Sequence, residues 1–236
     1  MIELNADIGE GCDDAGLAPY LARVSIASGG HAGDAASMVV ALRLAAEHGL
    51  AIGAHPSYPD RAGFGRKPWP ATEAEIAVWV TEQTEGLAEQ AARLGLRVQH
   101  VKPHGALYNV AAREPAVARA IAQAVAAFDP ALTLVGLSGS CLIEAGREAG
   151  LSVLNEAFAD RAYEPDGRLV SRETAGAVLP DPQAAARQAY ALARGEAIAT
   201  RSGERVMIAA DTLCLHSDSP NALNIARAVH AALNRG

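Results

Sequence analysis

Seven short apolar runs, each followed by a longer Ala-rich stretch with helical spacing, constrain this chain more than any other feature. The runs are Ile2–Leu4, Val24–Ala27, Ala51–Ala54, Val98–Val101, Leu132–Val135, Ser152–Leu154 and Val206–Ala209. Strand and helix in strict alternation imply parallel strands joined by crossover helices. The helical segments carry their own stop and start signals. Asp34 is placed to cap a helix over 35–48 that Gly49 ends, and Thr72 with Glu75 has capping-box spacing before a long helix that closes near Gly95. Further helices are expected over 114–128, 139–150 and 182–194, with a last one starting near Pro220 and reaching the C-terminus. Seven strands in 236 residues predict an α/β fold, an incomplete or distorted (β/α) barrel, as one domain over residues 1–236.

In such a fold the residues just past each strand's carboxyl end face the ligand crevice. Asn5, Asp7 and Glu10 follow the first run. His31 and Asp34 follow the second; His55, Tyr58, Asp60 and Arg66 follow the third. The fourth stops on Lys102 and His104, with Tyr108 and Asn109 close behind. Asn155, Glu156, Asp160, Arg161 and Tyr163 are expected past the sixth, and Asp211, Thr212, His216 and Asp218 past the seventh. Ordinary surface loops carry a freer mixture of Lys and Glu. A single histidine after a strand is usually a hydrogen-bonded structural residue, but His31, His55, His104 and His216 at four strand exits describe a site. His48, His100 and His230 read instead as packing or surface residues.

Composition and missing motifs narrow the function. The net charge is −7 and the pI about 5.5, with no basic stripe, which argues against nucleic acid or an anionic membrane surface. No run approaches membrane-spanning length, and the acidic start lacks a signal-peptide plan. Three widely spaced cysteines (Cys12, Cys141, Cys214) suit reduced thiols and a cytoplasmic location. There is no Walker loop, since Gly63–Arg66 has the wrong spacing, and no zincin helix or Gly-x-Ser-x-Gly elbow. Two chemistries stay open. Asp7, His55 and His104, from three strand ends, are candidate ligands of a divalent metal with an open position for water. Without a metal, Asp7 or Glu10 would act as base while Lys102 and the histidines stabilise an oxyanion.

The segments N-A-D-I-G-E, G-G-H-A-G-D, G-A-H-P-S-Y-P-D-R-A-G-F-G-R, V-K-P-H-G-A-L-Y-N, E-A-F-A-D-R-A-Y and D-T-L-C-L-H-S-D, in this order, resemble the A subunit of bacterial 5-oxoprolinase, the LamB/YcsF family. The resemblance spans nearly the whole chain. It implies a glycoside hydrolase/deacetylase-like incomplete barrel and ATP-dependent opening of 5-oxo-L-proline to L-glutamate, with ATP engaged through a complex with partner subunits B and C. Under it, Asp7, Glu10, His55, Lys102 and His104 are catalytic. Asn5, His31, Asp34, Tyr58, Asp60, Arg66, Tyr108, Asn109, Asp160, Asp211 and His216 bind substrate, with Lys102 and Arg66 taking its carboxylate or a phosphoryl group. The alternative is a metal-dependent amidase or carbohydrate deacetylase working alone, and a homo-oligomer is left open. The chain departs from the family pattern at Ser25, Ser28, Gly30 and Ser217. Gly30 stands where members usually have Phe, which predicts a wider local pocket.

Overall fold

The computed structural model describes residues 2–219 and 221–234. Seven strands close a parallel barrel: β1 (Glu3–Ile8), β2 (Arg23–Ala27), β3 (Ala51–His55), β4 (His100–Val101), β5 (Thr133–Leu137), β6 (Ser152–Phe158) and β9 (Thr212–Leu215). They pair in that order, and β9 returns to β1 through the register Glu3↔Thr212 to Ala6↔Leu215. The barrel therefore has one strand fewer than the common eight but no gap in its hydrogen bonding.

The crossover helices are α2 (Ala35–Glu47), α3 (Glu73–Arg93), α4 (Gly105–Ala111), α5 (Pro115–Phe128), α6 (Cys141–Glu148), α7 (Pro182–Ala193) and α8 (Ala222–Leu233), with a short α1 (Asp14–Leu17) after β1. The expected cap and the expected capping box both form: Asp34 caps α2, in a box completed by Ser37, and Thr72 pairs with Glu75. The expected start at Pro220 and the end of the chain lie outside the described residues. Helix α4 has no clear signal in the sequence, because its seven residues begin on a glycine directly after Pro103 and His104. Gly105 is required there: its φ is 56°, and a Cβ would meet the Gly65 carbonyl oxygen at 2.5 Å.

The seventh strand is corrected. Val206 pairs instead with Ile198 in a two-stranded antiparallel ribbon, β7 (Ile198–Ala199) with β8 (Arg205–Val206), and Met207 is two-thirds exposed. The barrel strand is T-L-C-L, Thr212–Leu215, wholly buried. An apolar run reads alike whether it enters a barrel or a surface ribbon, and here the polar flanks of 212–215 hid the true strand.

Alternate residues along a strand face opposite ways. Leu4, Ala6 and Ile8 of β1 join the large apolar core between strands and helices, while Asn5 and Asp7 face the barrel interior. The interior is polar. It holds Asn5, Ser25, His100, Lys102, Glu156 and Cys214, all nearly inaccessible. Asn155 and Glu156, expected past the sixth strand, are thus within β6.

Candidate active site

The carboxyl ends of the strands surround a cavity of about 610 Å³. Glu10, His31, His55 and His104, from four strand exits, form one polar cluster there. Glu10 Oε1 lies 2.7 Å from His31 Nε2, 3.3 Å from His104 Nδ1 and 3.7 Å from His55 Nε2. His31 and His104 stack with ring centroids 3.5 Å apart.

Backbone carbonyls orient two of these rings. His55 Nδ1 is 2.7 Å from the Lys102 carbonyl oxygen, and His104 Nε2 is 2.9 Å from that of Phe64. A carbonyl oxygen only accepts, so each of those nitrogens carries the proton and donates it. Phe64 adopts a left-handed φ of 55°, in the loop whose carbonyl meets the His104 ring. The inner nitrogens, His55 Nε2 and His104 Nδ1, then face each other at 3.0 Å. Two neutral imidazoles in these tautomers would oppose lone pair to lone pair. A shared proton or a cation removes that conflict.

The charges follow. Burial opposes ionisation of Glu10, but the imidazoles of His104 and His31 beside it and the charge of His55 outweigh it and hold the carboxyl far below its usual range. Burial would neutralise His55, yet the Asp7 carboxylate, 3.4 Å from Nε2, raises its pKa. Burial lowers His104 and takes His31 down to about 4. One cationic ring, His55, beside two neutral ones is the state the surroundings favour.

The same donor set is suited to a metal. Glu10, His31, His55 and His104 each offer a ligand atom, all within 4.8 Å of one another. Imidazole and carboxylate donors suit zinc and its neighbours, and backbone carbonyls behind two of the rings fix ligand orientation. Asp7, expected as a ligand, stands beside the set, and His31 and Glu10 enter it.

Lys102 lies below the cluster. Its Nζ is 2.7 Å from Glu156, 3.0 Å from Asp7, 3.2 Å from Asn5 Oδ1 and 3.3 Å from Cys214 Sγ. Burial opposes its charge, but Asp7, Cys214 and Glu156 together keep it ionised well above the ordinary lysine range. Tyr108 donates to Glu156 at 2.8 Å; burial and that carboxylate push its phenol far up. Asp7 itself stays ionised, because His55 and Lys102 overcome the effect of burial.

On the cavity wall His216 stacks on Phe158, and Asp160 holds it by two contacts. The Asp160 carboxylate accepts from His216 Nδ1 at 2.9 Å and from its backbone N–H at 3.2 Å. Burial works against the Asp160 charge, but His216 keeps its pKa low.

Other expected site residues are distributed elsewhere. Arg66 reaches the cavity mouth and, with Arg172, donates to Asp218 Oδ2. Asn109 lines the cavity on α4. Asp34 caps α2, Asp60 accepts from the Gly63 N–H, and Tyr58 packs against Trp79. Asp211 precedes β9, so it stands at the opposite mouth of the barrel, accepting from Asn155 N and Nδ2. Arg161, expected past the sixth strand, lines the wall, but the sequence reading missed Arg168 and Arg172, which the same 161–173 segment supplies. The apolar alternation that marks strand exits gives no signal there.

Gly30 opens no pocket. A Cβ on it would fall 2.3 Å from Ser57 Oγ and 2.5 Å from Gln83 Oε1. Gln83 from α3 fills that space, accepting from Ser57 N and donating to Ser57 O. Ser28 likewise has a structural partner, since its Oγ accepts from the His55 backbone N–H at 3.1 Å.

Comparison with known proteins follows the same outline. The LamB/YcsF family model matches residues 2–236. The 5-oxoprolinase A subunit of Chloroflexus aggregans is 51% identical, covering 100% of this chain and 94% of its own length. Its counterpart in Erwinia tasmaniensis is 45% identical, covering 99% and 96%. A solved structure, the lactam utilization protein from Thermus thermophilus, superimposes with a TM-score of 0.93 at 42% identity, over 99% of this chain and 96% of that one.

Proposed function

This chain belongs to the LamB/YcsF family, and we propose that it acts as the A subunit of a 5-oxoprolinase. It takes part in ATP-dependent hydrolytic opening of 5-oxo-L-proline to L-glutamate with partner subunits B and C. Full-length relatives bearing that name support the assignment. The observation that carries the chemistry is the cavity floor, where carbonyl-oriented imidazoles converge on one carboxylate.

Ring opening needs water to add to the lactam carbonyl, negative charge to gather on its oxygen, and a proton to reach the ring nitrogen as the C–N bond breaks. His216 is oriented for the proton transfers: Asp160 fixes Nδ1 as the donor, leaving Nε2 to take a proton from water and return it to nitrogen. Cationic His55 stabilises the developing oxyanion. Asp7 keeps His55 charged and offers the attacking water an acceptor. A carboxylate held so far below neutrality is a weak base, which moves that duty from Asp7 and Glu10 to His216. Lys102, enclosed by its partners, fixes Asp7 in place.

A lactam is stable and its nitrogen leaves poorly. Phosphorylation of the amide oxygen supplies a better electrophile, which is the physical reason for ATP; the nucleotide enters through the complex. A divalent metal held by Glu10, His31, His55 and His104 would supply Lewis-acid polarisation and a bound water with a pKa of about 7. That donor set favours the second reading, a metal-dependent amidase or carbohydrate deacetylase working alone. The three cysteines are free thiols, in keeping with a reducing cytoplasm. No helix among the described residues is long and apolar enough to cross a membrane.

The deciding assay measures glutamate from 5-oxoproline, with and without ATP, for the chain alone and with subunits B and C. Glutamate only from the complete, ATP-supplied mixture is expected. ATP-independent hydrolysis of N-acetyl sugars by the metal-loaded chain alone would replace the first reading with the second.

A further inference from the structure

Arg161 carries a charge that the fold leaves unanswered. The residue is 5% exposed, yet no carboxylate lies within ion-pair distance of its guanidinium among the described residues. Nε donates to the Ala177 carbonyl at 3.1 Å and Nη2 to the Val170 carbonyl at 2.6 Å. Nη1 has no partner among the described residues, and the side chain lines the cavity. Asp160, next in sequence, is already taken by the ring and backbone of His216. Burying a cation without a counter-charge costs several kcal/mol unless something supplies one.

The neighbourhood adds to the imbalance. Arg172 stands near enough for its charge, after burial itself, to help bring the Arg161 pKa down to about 10, against the opposite pull of the Asp160 carboxylate, which makes no ion pair with Arg161. Arg172 shares a single carboxylate oxygen, Asp218 Oδ2, with Arg66 at 2.8 and 2.7 Å. Two guanidiniums thus share one carboxylate, beside a third that pairs with none among the described residues. Glu164 and Glu173 also line the wall, but neither forms an ion pair with them among the described residues. Arg168 is occupied by Asp166.

We propose that Arg161, assisted by Arg172, is the receptor for the carboxylate of the small molecule that enters this cavity. The two carbonyl contacts hold the guanidinium plane still, with one edge free for an oxyanion, the arrangement in which arginine recognises carboxylate best. The mount is rigid because Val170 and Ala177 belong, with Ala162, to a small apolar cluster of their own. This deepens the lactam reading and rests on it for the ligand's identity: Arg161, with no competing carboxylate, replaces Lys102 and Arg66 as the group that grips the 5-oxoproline carboxylate. The same receptor would orient the ring against His216, which Asp160 holds one residue away along the chain.

Calorimetric titration of the full chain with 5-oxoproline, its carboxylate-free analogue 2-pyrrolidinone, N-acetylglycine and inorganic phosphate tests this. Wild type should bind 5-oxoproline more tightly than 2-pyrrolidinone. Arg161→Gln should weaken 5-oxoproline about tenfold or more, the loss of a charged hydrogen-bonding partner, and leave 2-pyrrolidinone unchanged. Arg172→Gln, on the half-exposed rim, should weaken 5-oxoproline by a smaller factor. It decides the matter alone if circular dichroism shows Arg161→Gln unfolded. Equal weakening of both lactams, or no weakening, overturns the proposal. Binding of phosphate but of no carboxylate overturns it too, since the site would then hold a phosphoryl group. If N-acetylglycine binds through Arg161 and 5-oxoproline does not, the receptor stands and the lactam reading falls.

Discussion

Two polar clusters lie one above the other inside the barrel, and they are built on opposite plans. Around Lys102 every strong charge has its answer: one ammonium meets Asp7 and Glu156, with Asn5, Cys214 and Tyr108 completing the shell. Around Glu10 the groups are set against one another. Two imidazoles that give their outer N–H to carbonyls turn their inner nitrogens on each other at 3.0 Å. Only a proton or a cation between them settles the pair, and a third ring stacks on one member of it. A satisfied buried network specifies a unique structure, whereas an unsatisfied one persists only where the surrounding fold enforces it. The lower cluster is scaffold; the upper one is where chemistry is expected.

The contrast breaks most sharply at Lys102. Lys102→Met removes the only ammonium in a group holding two carboxylates, leaving buried charge uncompensated at a cost of about 3–5 kcal/mol. Chemical denaturation should show a chain that is largely unfolded or far less stable. Near wild-type stability would mean that the network is not the scaffold described.

At His104 the effect should shift from stability to turnover. His104 lines the cavity, so His104→Ala leaves space that opens to it rather than a sealed void, and the thermal midpoint should fall by only a few degrees. Glutamate formation by the reconstituted complex should drop by at least about a hundredfold, as expected for a group near the reacting atoms. Turnover near normal would remove the cluster from the reaction.

Both clusters were partly legible in the sequence, for different reasons. His31, His55 and His104 were found because they follow strands that alternate cleanly with helices. Lys102 was found for the same reason, but its enclosure was not foreseen: only the three-dimensional structure brings Glu156 and Asn5 round the barrel to surround it. Glu156 escaped notice as an interior residue because β6 runs to Phe158, beyond the apolar stretch that signals it. Arg161 could be seen in the sequence, but that the fold gives it no carboxylate could not, since unpaired charge is a property of the fold. Gly30 shows the converse. A small residue suggested space, and Gln83, more than fifty positions away, occupies it.

Deeper in the barrel, His100 extends the comparison to pH. Burial, then the charges of Arg23 and Lys102, lower its pKa to about 3 from 6.5. Between those values the unfolded chain binds a proton that the native chain refuses. The stability it allows is complete above about pH 6.5 and declines toward pH 3, by about 1.4 kcal/mol per unit. His31, lowered to about 4, adds to the same decline. Asp7, with its pKa lowered, contributes stability that is lost only at more acid pH, below the ordinary carboxylate range. Denaturation midpoints of His100→Gln from pH 7 to pH 4 should therefore show a shallower acid limb than wild type. An unchanged slope would place His100 in contact with solvent or a counter-charge.

The smallest effect belongs at the other mouth of the barrel. Asp211 shares its residue type with Asp160 and its neighbourhood in sequence with His216, yet β9 separates it from His216 by its full length. Its carboxylate holds Asn155 N and Nδ2 at 2.8 Å, each partly exposed to solvent, which limits each bond to about 1 kcal/mol. Asp211→Ala should lower the denaturation midpoint slightly and leave ligand binding and turnover as they are. A specific loss of 5-oxoproline binding would carry the chemistry to both ends of the barrel and dissolve the distinction between them. Retained binding confines it to the carboxyl ends, where an Asp matters when it faces a histidine, as Asp160 does, and not merely because it flanks a strand.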